Sequence, residues 1–349
     1  MTFTPPTREQ RDAWLEHLGD AYKHAEIVRE LTCLWETDIE PPPEPHDATG
    51  WLRIAAWNIE RGRDPIPAAL LLAATGADIA LLTEVDIGMA RTSNRDVARV
   101  IARALDAGVV FGIEFIELGL GKEADLVHID ADLDIGGHNV TGLHGNAILS
   151  RVPVTRSEVL RLDAGGEWFN EERREPRIGG RMAAAATISL DGTDVDVVSV
   201  HLESFSTAED RAKQMKLLLE GVDARTKGPV VLAGDLNTFG APLEALADRT
   251  TLRGLRAVDP SRFSWPAPHE PLFDVAAGHG FEWVDANLSA PTTRHSPDGK
   301  PDHHPLKLDW FLVRGLEVGR PTVVPAVASD GSPLSDHELI AVSVRVPVR

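Results

Sequence analysis

The chain of 349 residues holds a single cysteine, Cys33, and a single tyrosine, Tyr22. One cysteine excludes any disulfide within the chain and suits a reducing compartment. Aromatic residues make up only 5%. No stretch interleaves them with basic residues, so the stacking platform of a single-strand nucleic-acid binder is missing. Basic residues are also scarce: 35 Lys and Arg stand against 54 Asp and Glu, a formal charge of −19. Such a field repels polyanions at long range and disfavours a nonspecific nucleic-acid coat. A nuclease stays open as an alternative, because a basic rim around a metal overrides the global field locally. No apolar run reaches the ~20 residues of a membrane span, and the opening Met1-Thr2-Phe3-Thr4-Pro5-Pro6 has neither part of a secretory leader. The expectation is a cytoplasmic protein.

Hydrophobic residues at 43% and charged residues at 26% are ordinary for a globular domain. Residues 8–36 read as helical, with Trp14, Leu15, Leu18, Tyr22, Ala25 and Ile27 forming an apolar stripe. Pro41-Pro42-Pro43-Glu44-Pro45 cannot continue a helix and favours an extended linker. The expected organisation is a helical appendage over 1–40, a proline-rich linker over 41–50 and a main domain over 51–349. The appendage is expected to pack on that domain. Within it, short apolar runs predict strands over 52–57, 78–82, 109–115, 147–150, 183–190, 195–200, 230–233, 308–313 and 339–346. Helices are expected over 67–74, 94–105 and 208–224. Consecutive strands without intervening helices argue against a purely parallel sheet. The predicted class is α/β, with two sheets packed face to face and helices outside. The stretch from Gly119 to Gly142 is rich in Gly, Asp and His and reads as a long surface loop.

Polar residues follow these runs at telling places. Asn58 and Glu60 come after the run ending at Trp57, Glu84 after that ending at Thr83, and His201 after that ending at Val200. Asp235 and Asn237 follow Val230–Gly234, and Asp336 and His337 precede the last strand. Residues at strand ends can converge on one rim of a sandwich. Carboxylate and amide oxygens without thiolates suit a hard cation, Mg²⁺ or Mn²⁺. Histidines beside them suit acid/base work or phosphate stabilisation. Together these groups describe in-line attack of an activated water on phosphorus. Any one piece alone reads as a turn or a cap, since Asp and Asn bond local backbone; their combination is far more specific.

Seven blocks occur in order: Trp57-Asn58-Ile59-Glu60, Thr83-Glu84-Val85-Asp86, Gly145-Asn146-Ala147-Ile148-Leu149-Ser150, Val200-His201-Leu202-Glu203-Ser204, Gly234-Asp235-Leu236-Asn237-Thr238, Leu308-Asp309-Trp310 and Ser335-Asp336-His337. This succession resembles the signatures of the endonuclease/exonuclease/phosphatase superfamily over residues 51 to about 346. The resemblance implies a four-layer sandwich, two mixed sheets flanked by helices. It implies Glu84 as principal metal ligand, with Asn58 and Asp336 at or near the metal. Asp235 and Asn237 would position water and phosphate. His337, oriented by Asp309, would be general base or phosphate stabiliser, and His201 the second catalytic histidine. The abasic-site endonuclease branch carries tyrosine where this chain has His201. That points instead to the branch with pancreatic-type deoxyribonucleases, sphingomyelinases, deadenylases and inositol-phosphate phosphatases.

Arginine suits bidentate phosphate recognition. Arg177 and Arg181, with Asn146 of the third block, are assigned to phosphate or substrate binding. Arg91, Asn94 and Arg95 are further candidates; Arg173 and Arg174 are as well explained by pairing with Glu171, Glu172 and Glu175. His144 reads as a solvated loop residue. His295, His303 and His304 have no zinc spacing and read as a substrate-flanking loop. Trp168, Phe169, Phe263 and Trp265 are expected to pack into the domain. The expected activity is hydrolysis of a small or lipid-derived phosphate ester with Mg²⁺ or Mn²⁺, with no obligate protein partner. The alternatives are a nuclease acting on DNA or RNA and a scaffold that has lost catalysis.

Overall fold

A computed structural model describes residues 1–121, 123–127, 129, 137–162, 168–169, 175–242, 244–245, 248–294 and 305–347. Its centre is a pair of mixed sheets. The larger has eight strands: β1 (Thr37–Glu40), β2 (Leu52–Arg61), β3 (Ile79–Ile87), β4 (Gly108–Glu117), β5 (Leu143–Ser150), β7 (Arg177–Gly179), β12 (Glu317–Val324) and β13 (Leu339–Arg345). They run in the order β1-β4-β5-β3-β2-β13-β12, with β7 added on β4. The smaller sheet follows the order β11-β10-β9-β8-β6, from β6 (Val154–Arg161), β8 (Met182–Leu190), β9 (Thr193–His201), β10 (Val230–Asp235) and β11 (Asp309–Arg314).

The near-continuous apolar runs have a simple cause, since both faces of the central strands are covered. In β2, Leu52, Ile54 and Ala56 face the space between the sheets while Ala55 and Trp57 face outward. In β8, Met182, Ala184 and Ala186 face inward, and Ala183 and Ala185 lie under the helix of residues Ala208–Arg225. The helices Pro65–Ala74 and Val97–Ala104 cover the larger sheet. Ala208–Arg225 and Leu272–Gly278 cover the smaller one. The result is the expected four-layer sandwich.

The N-terminal forty residues differ from the expectation. The single helix over 8–36 is two helices, Arg8–Trp14 and Ala21–Glu30, broken where Gly19 turns to φ +85 and Asp20 caps the second. Residues 37–40 pair antiparallel with β4 as the edge strand β1. Phe3, Ile27, Cys33 and Leu34 lie in the same apolar cluster as Trp57 and Phe111. The segment is therefore built into the larger sheet and its outer core. Strands β6 and β12 were not expected. Both are edge strands of mixed burial, carrying charged residues that mask their periodicity.

Candidate active site

Strand register assembles the candidate residues. In the smaller sheet Asp235 lies beside His201 on the parallel neighbour β9 and opposite Asp309 on the antiparallel neighbour β11. Three polar side chains thus stand in one row at the end of three adjacent strands. Gly234 makes this possible: at φ +146, a Cβ there would meet the Val200 carbonyl oxygen at 2.0 Å. In the larger sheet Asn58 pairs with Thr83, the residue before Glu84, and the β2–β3 register then slips. Glu84 itself takes φ +55, a left-handed conformation rare for a side chain of this size.

Asn58 joins the two sheets. Its Nδ2 donates to Glu84 Oε1 at 3.1 Å and to Asp235 Oδ2 at 3.2 Å. Its carbonyl oxygen accepts from the Ser335 hydroxyl at 2.7 Å, and Trp57 Nε1 donates to the His337 carbonyl at 3.0 Å. The last block is thereby fastened to the first. Asn237 folds back in an Asx turn, its N–H donating to Asp235 Oδ1 at 2.9 Å and its Nδ2 to the Leu202 carbonyl at 2.9 Å.

Both candidate histidines converge on Asp235. His201 Nε2 is 3.5 Å from Asp235 Oδ2, and His337 Nε2 is 3.6 Å from the same oxygen. Their far sides differ. His337 Nδ1 pairs with Asp309 Oδ2 at 2.8 Å. Burial disfavours its charge, but Asp309, Asp235 and Asp336 outweigh burial and hold His337 well above the ordinary histidine range. His201 Nδ1 lies 3.9 Å from Glu114 Oε2 without a hydrogen bond. Burial, reinforced by Arg181, pushes His201 down to about 3. Glu84 is half-buried; desolvation opposes its charge, but Arg61, then His201 and His144, keep its carboxylate well below the usual range.

A family model described as "Endonuclease/Exonuclease/phosphatase family" matches residues 55–337. The chain belongs to that family. Solved structures share the fold: an endonuclease/exonuclease/phosphatase from Beutenbergia cavernae (22% identity, TM-score 0.54) aligns with 85% of this chain and 72% of its own. A family member from Bacteroides vulgatus (15%, TM-score 0.52) covers 85% of this chain and all of its own, 100%. The human Nocturnin catalytic domain with bound sulfate (16%, TM-score 0.51) covers 90% and 98%. No curated protein matches the chain. No helix among the described residues is long and apolar enough to cross a membrane.

Members of this family are generally metal-dependent hydrolases of phosphate esters. The donors here fit a hard divalent cation: Glu84 and Asp235 present carboxylate oxygens on either side of the Asn58 amide, and no thiolate is near. A second acidic and imidazole group, Asp235, Asp309 and His337, brings one ligand atom each within 4.8 Å of one another.

These residues open into a cleft of about 610 Å³. Glu84, His201, Asp235, Asn237 and His337 line it, and so do Arg177 and Arg181. Both arginines are already paired: Arg177 with Glu117 and Glu175, each at 3.1 Å, and Arg181 with Glu114 at 2.6 Å and Glu203 at 3.3 Å. Asp336 is outside the cleft lining: it is exposed and its N–H donates to Glu60 Oε2 at 3.1 Å, while its carboxylate still lies close enough to act on His337, Glu84 and Asp235. Asn146 is fully buried and outside the cleft lining, its Nδ2 spent on the Met182 carbonyl at 3.0 Å.

Several other expectations change. Arg91 is no phosphate contact, being buried against Asp86 at 2.8 Å with Glu117 and Asp125 nearby. Asn94 bonds the backbone of His138 and Val140. His144 is a buried strand residue that lines the cleft, stacked on Phe115 at 4.5 Å and held by Asp86 at 2.7 Å. Phe169, Phe263 and Trp265 pack into the domain; Trp168 packs on Phe115 and also lines the cleft. Part of the stretch from Gly119 to Gly142 is buried rather than surface, because Asp125 reaches Arg61, Arg63 and Arg91. Arg173, Arg174, Glu171, Glu172, His295, His303 and His304 fall outside the described residues.

Sequence reasoning missed Glu114 and Arg61. Glu114 sits on β4, fully buried behind His201, and burial pushes it up to about 7 although Arg181 opposes the shift. An acid inside an apolar run, three residues before Glu117 at the end of the same strand, was the available signal. Arg61 reaches the cleft through a kink that its Glu-Arg-Gly context disguises as an ordinary turn.

Proposed function

We propose that this chain hydrolyses phosphate esters by in-line attack of water, using Mg²⁺ or Mn²⁺ held by Glu84 and Asn58. The observation that carries the reading is the convergence of two histidines on one oxygen of Asp235, one amide away from Glu84. The cation would supply Lewis-acid polarisation of the phosphoryl group. Asp235 and Asn237 orient the attacking water, with Asp235 fixed by the Asn237 N–H and the Asn58 amide.

The two histidines have been pushed apart electrostatically, which separates their roles. His337, charged beside Asp309, donates from Nε2 to a phosphate oxygen or to the departing oxygen. His201, neutral, offers Nε2 as an uncharged partner on the other side of Asp235. A histidine rather than a tyrosine at this position supports assigning the chain to the histidine-containing branch of the family. The substrate is a small or lipid-derived ester: the cleft is of small-molecule size, and a formal charge of −19 works against a polyanion.

The test is release of p-nitrophenol from bis-p-nitrophenyl phosphate and p-nitrophenyl phosphate with Mg²⁺, Mn²⁺ or EDTA, for wild type and Asp235→Asn. Metal-dependent release lost in the variant supports the proposal. Release that survives EDTA or the substitution refutes it. Faster cleavage of single-stranded oligonucleotide than of either ester at low salt would replace the small-ester substrate by nucleic acid.

A further inference from the structure

Beyond Asn58, strand β2 leaves regular geometry. Glu60, Arg61 and Gly62 take φ of 44, 73 and 71 in succession, and the register against β3 shifts between Asn58 and Arg61. Two long side chains in left-handed backbone are strained and are kept only where surroundings over-determine them. The outcome is the placement of Arg61. Its side chain folds over the end of β3, where Nη1 meets Glu84 Oε2 at 2.7 Å and Nε lies 3.2 Å from Asp125 Oδ1. Arg61 lines the cleft, and among the described residues its Nη2 has no hydrogen-bond partner and is not sealed from solvent.

The two oxygens of Glu84 look in different directions. Oε1 faces the Asn58 amide, which continues to Asp235 and the two histidines; Oε2 faces Arg61. Arg61 therefore stands across Glu84 from the reacting groups, displaced from the phosphate that they would attack. Once Glu84 shares its charge with a divalent ion, the guanidinium keeps as its nearest counter-charge Asp125, which it shares with Arg63 and Arg91, and has a free N–H edge in the cleft lining. A fixed planar fork so placed is matched by an oxyanion.

We propose that Arg61 binds a second, non-reacting anionic group of the substrate, phosphoryl or carboxylate, so that the preferred ester carries two anionic groups a few bonds apart. This rests on the reading of the cleft as a phosphate-ester site. It makes Arg61 a specificity-determining residue for that site, and it distinguishes substrates by what they carry beside the scissile phosphate.

The experiment compares three non-hydrolysable probes by calorimetry at saturating Mg²⁺: methylphosphonate, with one anionic group, against methylenediphosphonate and phosphonoacetate, with two. Wild type should bind one or both of the dianionic-group probes about tenfold or more tightly than methylphosphonate, the scale of one charge-assisted hydrogen bond. The preferred probe tells phosphoryl from carboxylate. In Arg61→Gln that ratio should fall to about one, and in Arg61→Lys, which keeps the charge but loses the fork, to an intermediate value. Equal binding of all three by wild type overturns the proposal. So does an unchanged ratio in either variant, or an equal weakening of all probes with Mg²⁺ affinity, which would make Arg61 only a support for Glu84. Melting curves of both variants establish that they fold, and the Lys variant serves alone if the Gln variant does not. Ester turnover is measured separately: an inactive protein that keeps the ratio fails the hydrolase reading and not this one.

Discussion

Replacing His201 by Gln should flatten the acid side of the stability profile. The folded chain holds His201 down at about 3, through burial and the neighbouring Arg181, whereas the unfolded chain titrates near 6.5. Between these two values the unfolded state binds a proton that the folded state refuses, so stability falls as pH drops from about 6.5 towards about 3. At about pH 4.5 the gap is two units, and at 1.36 kcal/mol per unit the wild type has lost roughly 3 kcal/mol through this residue. Glutamine occupies a similar space and does not titrate, so its contribution is flat. The assay is urea unfolding in EDTA at about pH 7 and about pH 4.5, and the quantity is the difference between the two proteins' losses. Other carboxylates titrate in both and cancel. A difference of roughly 2–4 kcal/mol is expected on this reasoning. Equal losses would mean that His201 is protonated in the folded state, drawn up by Asp235 and Glu84, and the neutral role assigned to it would fall.

Two further predictions follow from the same electrostatics. Asp309→Asn removes the carboxylate at His337 Nδ1 and should cut kcat by roughly 10²–10⁴-fold, as for a disoriented acid/base group. In wild type the raised value of His337 places the alkaline fall in kcat above neutrality; in the variant this limb should move towards lower pH, read from a pH–rate profile, and an unmoved limb would contradict the charged role. Arg91→Met leaves Asp86, Glu117 and Asp125 without their shared buried cation, which should cost about 3–5 kcal/mol in urea unfolding. Unchanged stability with weakened substrate binding would return Arg91 to the phosphate contacts.

How much could be read beforehand follows from burial. Strands covered on both faces, such as β2, β3, β9 and β10, appear as unbroken apolar runs, and the polar residue ending each run is where the site lies. The family's blocks contain those same ends, so Asn58, Glu84, His201, Asp235, Asn237, Asp309 and His337 were legible together. Edge strands β6 and β12 were not, since one side meets solvent and their sequences are locally polar. Thr37–Glu40 was hidden because a strand of four residues pairs only through its backbone with a distant partner, Val109–Gly112. Asn146 misled because it lies inside a matching block but spends its amide on the Met182 carbonyl behind the cleft. Arg91 misled for a related reason: sequence shows the cation and not the carboxylates that fold against it; Arg177 and Arg181 gain carboxylate partners too, yet they line the cleft.

The division of labour between the two histidines illustrates the point most sharply, because their immediate partner is the same atom. Both reach Asp235 Oδ2 at nearly equal distance, and both are buried. What differs is one layer further back. Among the described residues Asp309 has no arginine against its carboxylate: Oδ2 meets the His337 ring at 2.8 Å, and the nearby Lys307 donates to the Asp309 backbone carbonyl instead, at 3.3 Å. Glu114 is bonded to Arg181 at 2.6 Å and is itself pushed up to about 7, so it offers His201 little negative charge at 3.9 Å. Arg181 then repels a proton on His201 directly. The role of Arg181 in this site is thus set as much by the charge state it imposes on His201 as by any anion it meets in the cleft. A strand-buried glutamate and its arginine decide which of two identical side chains carries the proton.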